Sequence, residues 1–294
     1  MSELKTDMKI MLLGKNGQLG QEIEKQANKT GINLLAFGHG EVDITDEKKL
    51  DQLLKDVNPS IVINTTAFHV VPKCEILPQE AFAINCYAVT QLSEMTAKKN
   101  IAFVTISTDY VFDGKKGEPY VEDDLPNPVQ MYGLSKYAGE IGTLNYNPES
   151  YVVRTCGVYG GKEGSRSKKG NFVLNILEAA KTKKEIEVAN DQIVNPTYAV
   201  DLAHGLLTLL EKQAEPGIYH LANSGCCSWA DFAAEVIKLA NLPAKIKGVQ
   251  KGEITGGVRR PMFSALDSAK IKKYQIKIPS WQDALGRYIK FLDL

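Results

Sequence analysis

Lys9 to Leu13 is a compact apolar run that stops at Gly14-Lys15-Asn16-Gly17-Gln18-Leu19-Gly20. Behind it Leu19, Ile23 and Ala27 recur at helical spacing. A buried strand, a glycine-rich turn and a helix, in that order, constrain the fold more than any other stretch. They predict the opening βα unit of an α/β protein built on a doubly wound parallel sheet. Glycines keep such a turn tight and let backbone approach a pyrophosphate, which the helix N-terminus attracts. The spacing is G-x-x-G-x-x-G instead of G-x-G-x-x-G, so taken alone it also fits an ordinary glycine-rich turn.

The alternation continues down the chain. Asn33 to Phe37 reads as a second strand, and a carboxylate at its end would bind the ribose hydroxyls of NAD. Gly38-His39-Gly40 stands there instead. With Lys15 and His39 nearby this favours NADPH, NADH being the alternative if both are only solvated surface groups. Asp43-Ile44-Thr45-Asp46 opens the next helix with a cap and first-turn acids, and Leu50, Leu53, Leu54 and Val57 give its buried face. Ser60 to Thr66 is a third strand that brings Asn64, Thr65, Thr66 and Ala67 to the ligand-binding edge. Pro78 to Lys99 reads as one long helix, with Asn85 on its apolar face as a polar anchor in need of a partner. Ile101 to Ile106 delivers Ser107-Thr108-Asp109-Tyr110 to the same edge, and Tyr151 to Arg154 is a fifth strand.

Regular alternation then breaks. Helices are expected at Asn171–Thr182, Pro196–Leu210, Ser228–Ala240 and Ser280–Leu292, with strands at Glu185–Ala189 and Ile218–Leu221. No repeat or linker separates them, so the second lobe is expected to be woven into the first. The expected division is 1–155 with about 185–222 as a dinucleotide-binding domain, and about 156–184 with 223–294 as a substrate lobe.

The formal net charge is zero, which argues against a nucleic-acid partner. No apolar run approaches a membrane span, and Met1 to Asp7 is polar, without a signal-peptide core. The cysteines (Cys74, Cys86, Cys156, Cys226, Cys227) form no metal-ligand spacing, so no metal site is read from them. Reduced thiols in a cytoplasmic protein are expected.

Tyr132-Gly133-Leu134-Ser135-Lys136 places a phenol and an ammonium on one face of a helix. A fixed cation within ~4–6 Å favours phenolate and lowers the phenol pKa toward a useful acid–base range. In a Lys-rich chain the spacing also arises by chance.

Together with other blocks it is more telling. Gly14 to Gly20, Asn64 to Ala67, Ile106 to Gly114, Tyr132-Gly133-x-Ser135-Lys136-x-x-Gly139-Glu140, Val153-Arg154-Thr155, Val158-Tyr159-Gly160, Asn171-Phe172-Val173, Asp191-Gln192 with Pro196-Thr197, and Arg260-Pro261 follow in order. On these motifs, from Lys9 to about Phe291, the chain resembles the extended short-chain dehydrogenase/reductases. The resemblance implies a Rossmann-type sheet with a smaller interleaved C-terminal substrate lobe. It implies NAD(P)H-dependent reduction of the 4-keto group of a nucleotide-linked 4-keto-6-deoxy sugar, with dTDP-4-dehydro-L-rhamnose the expected substrate. Thr108, Tyr132 and Lys136 are then the catalytic set. Thr108 bonds the carbonyl oxygen, Tyr132 protonates it, and Lys136 binds the nicotinamide ribose and stabilises phenolate. Cofactor contacts fall on Gly14, Lys15, Asn16, Gly17, Gln18, Leu19, Gly20, His39, Asp43, Ile44, Thr65, Thr66, Ala67, Asn85 and Thr155. Substrate contacts fall on Asp109, Tyr110, Asn171 and Arg260, whose guanidinium fork suits a diphosphate. Mg2+ and a homodimer are implied by the resemblance alone.

Three departures bear on the sugar. Cys156-Gly157-Val158 stands where rhamnose-forming members carry an aromatic residue, Pro72 replaces an Asp before Lys73, and Val194 displaces a glycine. The open space expected at Gly157 would admit a bulkier C2 group, or Tyr159 or Phe68 would fill it. A reductase for a UDP-linked N-acetylated sugar is therefore the alternative. An epimerase or dehydratase fits less well, because Tyr110 after Asp109 leaves no Asp-Glu pair. A non-catalytic nucleotide-binding regulatory subunit is the more distant reading.

Overall fold

Apolar runs bounded by turn residues become the strands of one large sheet. The computed structural model describes residues 8–165 and 170–293, so Met1–Asp7 lies outside the described residues. In chain order the first half comprises β1 (Lys9–Leu13), α1 (Gln18–Thr30), β2 (Asn33–Phe37), α2 (Glu47–Val57), β3 (Ile61–Asn64), α3 (Val71–Ile76), α4 (Pro78–Phe82), α5 (Val89–Ala97), β4 (Ala102–Thr108), α6 (Met131–Tyr146) and β5 (Ser150–Thr155). The second comprises β6 (Val158–Tyr159), α7 (Phe172–Thr182), β7 (Glu185–Ala189), β8 (Ile193–Val194), β9 (Thr197–Tyr198), α8 (Ala199–Glu211), β10 (Gly217–His220), β11 (Cys227–Ser228), α9 (Trp229–Leu239), β12 (Lys245–Val249), β13 (Ile254–Thr255), β14 (Val258–Arg259) and α10 (Trp281–Leu292).

Six parallel strands pair in the order β10-β5-β4-β3-β1-β2. Side chains alternate across a strand, so β1 serves two cores. Ile10 and Leu12 join α1 and α8 on one face, and Met11 and Leu13 join α2 and α5 on the other. Covering both faces makes the strands continuously apolar, as parallel sheets require.

A second core gathers α7, α9 and α10 around Phe232, Trp281 and Tyr288, with β7 and β12 paired beside them. Of the stretch 185–222, expected to belong with the large sheet, α8 and β10 join it while β7 sits in this smaller core. The helix expected across Pro78–Lys99 is not uniform. Ala83–Ala88 between α4 and α5 is a π-helical turn, a one-residue widening that occurs mostly at functional sites. Among the described residues no helix is long and apolar enough to cross a membrane, and the five cysteines are free thiols.

Candidate active site

The C-terminal ends of β1, β3, β4 and β5 open onto a cleft of about 370 Å³. Its lining unites Gly17, Gln18, Leu19 and Gly20 with Thr65, Thr66, Ala67 and Thr155, and with Thr108, Asp109, Tyr110, Tyr132, Asn171 and Arg260. The opening turn is held by the Gly14 and Lys15 amides, which donate to the Phe37 carbonyl over 2.9 and 3.2 Å. A side chain at Gly20 would collide with the Gly14 carbonyl, so only glycine lets α1 begin this close to β1. Thr65 donates to the Leu13 carbonyl (2.9 Å) and Thr66 to Asn64 (2.6 Å), fixing the β3 edge. The buried Thr155 hydroxyl has no protein partner.

The expected cofactor residues outside the cleft are differently employed. Asn16 packs against Gly38. His39 is exposed, 3.9 Å from Asp43. Asp43 accepts from the Thr45 amide and hydroxyl (2.9 and 2.8 Å), contacts that lower its pKa, and Ile44 is core. An acid does stand at the end of β2. Glu41 accepts the Gly38 amide at 2.7 Å and pairs with Lys15 at 2.7 Å. The expectation of an acid-free strand end with an available Lys15 is thus corrected, because the turn after Gly38 brings a carboxylate back from three residues on.

Gln130 caps α6 by accepting the Gly133 amide at 2.8 Å. Gly133 lies against the Tyr110 carbonyl, where any side chain would clash, so the helix presents Tyr132 directly to the end of β4. Thr108 and Tyr132 both border the cleft, and the Thr108 hydroxyl is a nearby donor that slightly favours the Tyr132 phenolate. Lys136 follows one turn on, buried beneath the cleft surface and not bordering it. The Asn85 carboxamide does not face the cleft. It accepts the Phe68 amide (2.8 Å) and donates to the Phe68 carbonyl (2.9 Å) and Ser135 (3.0 Å), tying the π turn to both the β3 loop and α6.

Electrostatics around these groups are set chiefly by burial. Burial raises the Tyr132 pKa, with the nearby Asp109 charge adding to the rise. The expectation that Lys136 lowers it is therefore corrected for the protein by itself: desolvation opposes phenolate more strongly than any donor supports it. Burial also brings Lys136 down to about 8, against the pull of Glu140. Glu140 accepts from Ser107 and from Arg154, whose Nη2 lies 2.7 Å away. Burial raises the Asp109 pKa, opposed by donors from Ser264 (2.5 Å), Cys156 (3.2 Å) and Thr108 (3.0 Å).

On the far side, Arg260 Nη1 donates to the Tyr110 hydroxyl at 2.8 Å, while its buried Nε has no partner. Burial holds the Tyr110 phenol up at about 12. Asn171 caps α7 through the Leu174 amide (3.0 Å) and donates to Gly160 (3.2 Å), Tyr288 (2.9 Å) and Gln18 (3.3 Å). Its carboxamide is thus engaged within the chain, binding the lobe to α1. Pro72 is exposed in the first turn of α3 and does not border the cleft, contrary to its expected place by the sugar. Val194 is buried, paired with Cys227, and lines the cleft. Among the described residues no group of three or more His, Cys, Asp or Glu side chains is placed to hold a metal ion, and no ligands are assigned for Mg2+.

The family model described as RmlD substrate binding domain matches residues 8–293. The chain belongs to this family. A Bacillus subtilis relative, spore coat polysaccharide biosynthesis protein SpsK, is 36% identical over 282 residues, covering 96% of this chain and 97% of that protein. The crystal structure of a dTDP-4-dehydrorhamnose reductase from Clostridium acetobutylicum is 33% identical, with a TM-score of 0.91 over 98% of this chain and 100% of that one. The dTDP-4-dehydrorhamnose reductase from Bacillus anthracis, solved in complex with NADP, is 30% identical, with a TM-score of 0.90 over 98% and 99%. These full-length matches carry the Rossmann-type fold of the RmlD family onto this chain.

Several residues at this RmlD-family site are given no role by a reading of the sequence. Glu140 repeats the helical step from Lys136, a signal that was present. Ser264, Glu41 and Trp229 carry no local signal, nor does His69, whose Nε2 lies 3.3 Å from Ser165 Oγ.

Proposed function

We propose that this chain is an NADPH-dependent oxidoreductase that reduces the 4-keto group of dTDP-4-dehydro-L-rhamnose to give dTDP-L-rhamnose. The observation that carries the reading is that Thr108 and Tyr132 line one cleft that begins at the glycine turn of α1. The relatives' names point to the same chemistry. The residues fit a dinucleotide. The α1 N-terminus offers backbone donors where glycines leave room for phosphate, and Thr65 to Ala67 with the unpartnered Thr155 hydroxyl line the way toward Tyr132. When bound, the reduced nicotinamide supplies the hydride.

The protein's own groups do the rest. Thr108 and Tyr132 orient the carbonyl oxygen and stabilise the negative charge that develops on it, as preorganised donors do. Tyr132 holds the proton that oxygen receives. Lys136, one turn on and buried behind the cleft wall, is assigned the positive charge that favours the resulting phenolate, its ribose contact requiring the ammonium to reach through to the cleft. Arg260, with a donor to spare, is assigned to the diphosphate, and Tyr110 to orienting Arg260. Asp109 is assigned to orienting Thr108, and Asn171 to shaping the wall. Cofactor contacts are proposed on Gly14 to Gly20, Thr65 to Ala67 and the backbone at Asp43 and Ile44. Asn85 acts through Phe68 and Ser135. NADH is the second donor we infer, because Glu41 shares Lys15.

We also infer two lobes, the large sheet with α8 and β10 and the remainder around α9 and α10, in a cytoplasmic homodimer. Light scattering reads the assembly. The decisive assay follows NADPH oxidation with dTDP- and UDP-linked 4-keto-6-deoxy sugars and determines product configuration by NMR. Net oxidation with the dTDP sugar supports the reading. Turnover of a UDP-linked N-acetylated sugar alone replaces the substrate, and cofactor recycling without net oxidation points to an epimerase. No turnover with any sugar points to a regulatory subunit.

A further inference from the structure

Gly157 adopts φ +53°, a backbone region that disfavours any side chain, and a Cβ built on it would lie 3.1 Å from Trp229 Cη2. The space above Gly157 is therefore filled, by a ring from a segment more than seventy residues away, and neither Tyr159 nor Phe68 supplies it. Trp229 is the first residue of α9, directly after the Ser228 cap, whose hydroxyl accepts the Asp231 amide at 3.0 Å. Its indole packs on Phe172 at 4.5 Å between centroids and meets Phe232 edge-on at 6.2 Å. It is half-buried, and both Trp229 and Phe172 line the cleft that holds Thr108, Tyr132 and Arg260.

We propose that Trp229, seated over Gly157 and backed by Phe172, is the aromatic wall on which the hexose of the nucleotide sugar packs, and so a specificity-determining residue. This rests on the reduction proposed above. A hexose ring presents an apolar face of C–H groups, and a rigid indole face offers it contact area at little entropic cost. Tyr132 and Thr108 bond the keto oxygen, and Arg260 is placed for the diphosphate. The ring between these two ends needs an apolar surface to lie against, and Trp229 with Phe172 behind it provides a large one. Because α9 anchors that wall in the lobe core, a bulky C2 substituent meets a ring held on two sides instead of open space.

The chain has two tryptophans, and the other, Trp281, is buried in the lobe core. In the Trp281→Phe protein the remaining indole reports directly. Its fluorescence should change on titration with dTDP-L-rhamnose and stay constant with dTDP. If that variant does not fold, the difference between the parent and Trp229→Phe gives the same signal. Trp229→Ala should raise KM for the keto sugar roughly ten- to hundredfold, with Trp229→Phe between it and the parent. Both should bind dTDP and NADPH as the parent does, which a merely collapsed lobe would not. An equal response to dTDP and dTDP-L-rhamnose, or an unchanged KM in Trp229→Ala, overturns the wall. A parent that reduces only a UDP-linked N-acetylated sugar overturns the substrate reading instead. A Trp229→Ala loss on that sugar would then still support the wall.

Discussion

Two buried carboxylates lie close to the proposed catalytic groups, and they are stabilised by different means. Glu140, beneath Lys136, faces the Arg154 guanidinium at 2.7 Å with Ser107 alongside. Asp109, beside Thr108, receives only uncharged donors, from Ser264, Cys156 and Thr108 itself. The first region is a compensated ion pair, so its cost falls on whatever removes one partner. In the second no described cation offsets burial, and the carboxyl pKa is raised. The difference separates two tasks. The Glu140 side fixes charge near the lysine, while the Asp109 side ties β4 to the segment carrying Arg260, 155 residues from Asp109 at Ser264.

The largest effect should come from breaking the compensated side. Arg154→Leu strands Glu140 in the core and should cost about 3–5 kcal/mol of stability, read by denaturant unfolding. Much of that should return when Glu140 is also made apolar. A single-variant loss below about 1 kcal/mol would mean that the two regions do not differ as described.

Between the two floors stands Tyr132. Tyr132→Phe removes the proton donor alone and should lower kcat at least ~100-fold with NADPH affinity retained. Activity within a few-fold of the parent would take Tyr132 out of the acid role.

Asp109→Asn keeps the shape of the uncompensated side but mismatches one donor, and should cost about 1–2 kcal/mol. The pH dependence is more specific. A folded pKa above the unfolded one contributes stability below the unfolded value and loses it as pH rises through the folded value. The parent should therefore lose stability on leaving the acidic range, and Asp109→Asn should remove that fall. Parallel pH profiles of parent and variant would contradict the raised carboxyl.

Lys136 should show opposite signs for activity and stability. Its pKa of about 8 lies below the ordinary 10.5, so between those values the unfolded chain binds more protons and stability rises with pH. Over the same range the ammonium needed by Tyr132 is lost, so kcat/KM should fall above about pH 8. Lys136→Arg should shift that limb upward, and an unmoved limb would assign it to another group.

The smallest effect belongs to an exposed counterpart of Glu140 and Arg154. The Lys15–Glu41 pair lies in solvent, where such pairs contribute little. Glu41→Gln should raise the NADPH:NADH ratio of kcat/KM only a few-fold, and a fall in the ratio would show that Lys15 does not serve the 2′-phosphate.

What the sequence by itself determined is what lies within a few residues. A strand followed by a glycine turn places the cleft, and Tyr132 and Lys136 share a face because a helix repeats every 3.6 residues. The alternation of strands and helices was legible because buried parallel strands must be apolar on both faces. Only the tertiary structure decided how that edge is finished. The π turn at Ala83–Ala88 lets Asn85 reach Phe68 and Ser135, and a one-residue widening leaves no periodic trace. Glu41 returns to Gly38 through a turn, Ser264 meets Asp109 across the lobes, and Trp229 covers Gly157. Each of these joins groups through packing between separate elements, and no local spacing encodes which distant side chain will fill a space that a glycine leaves.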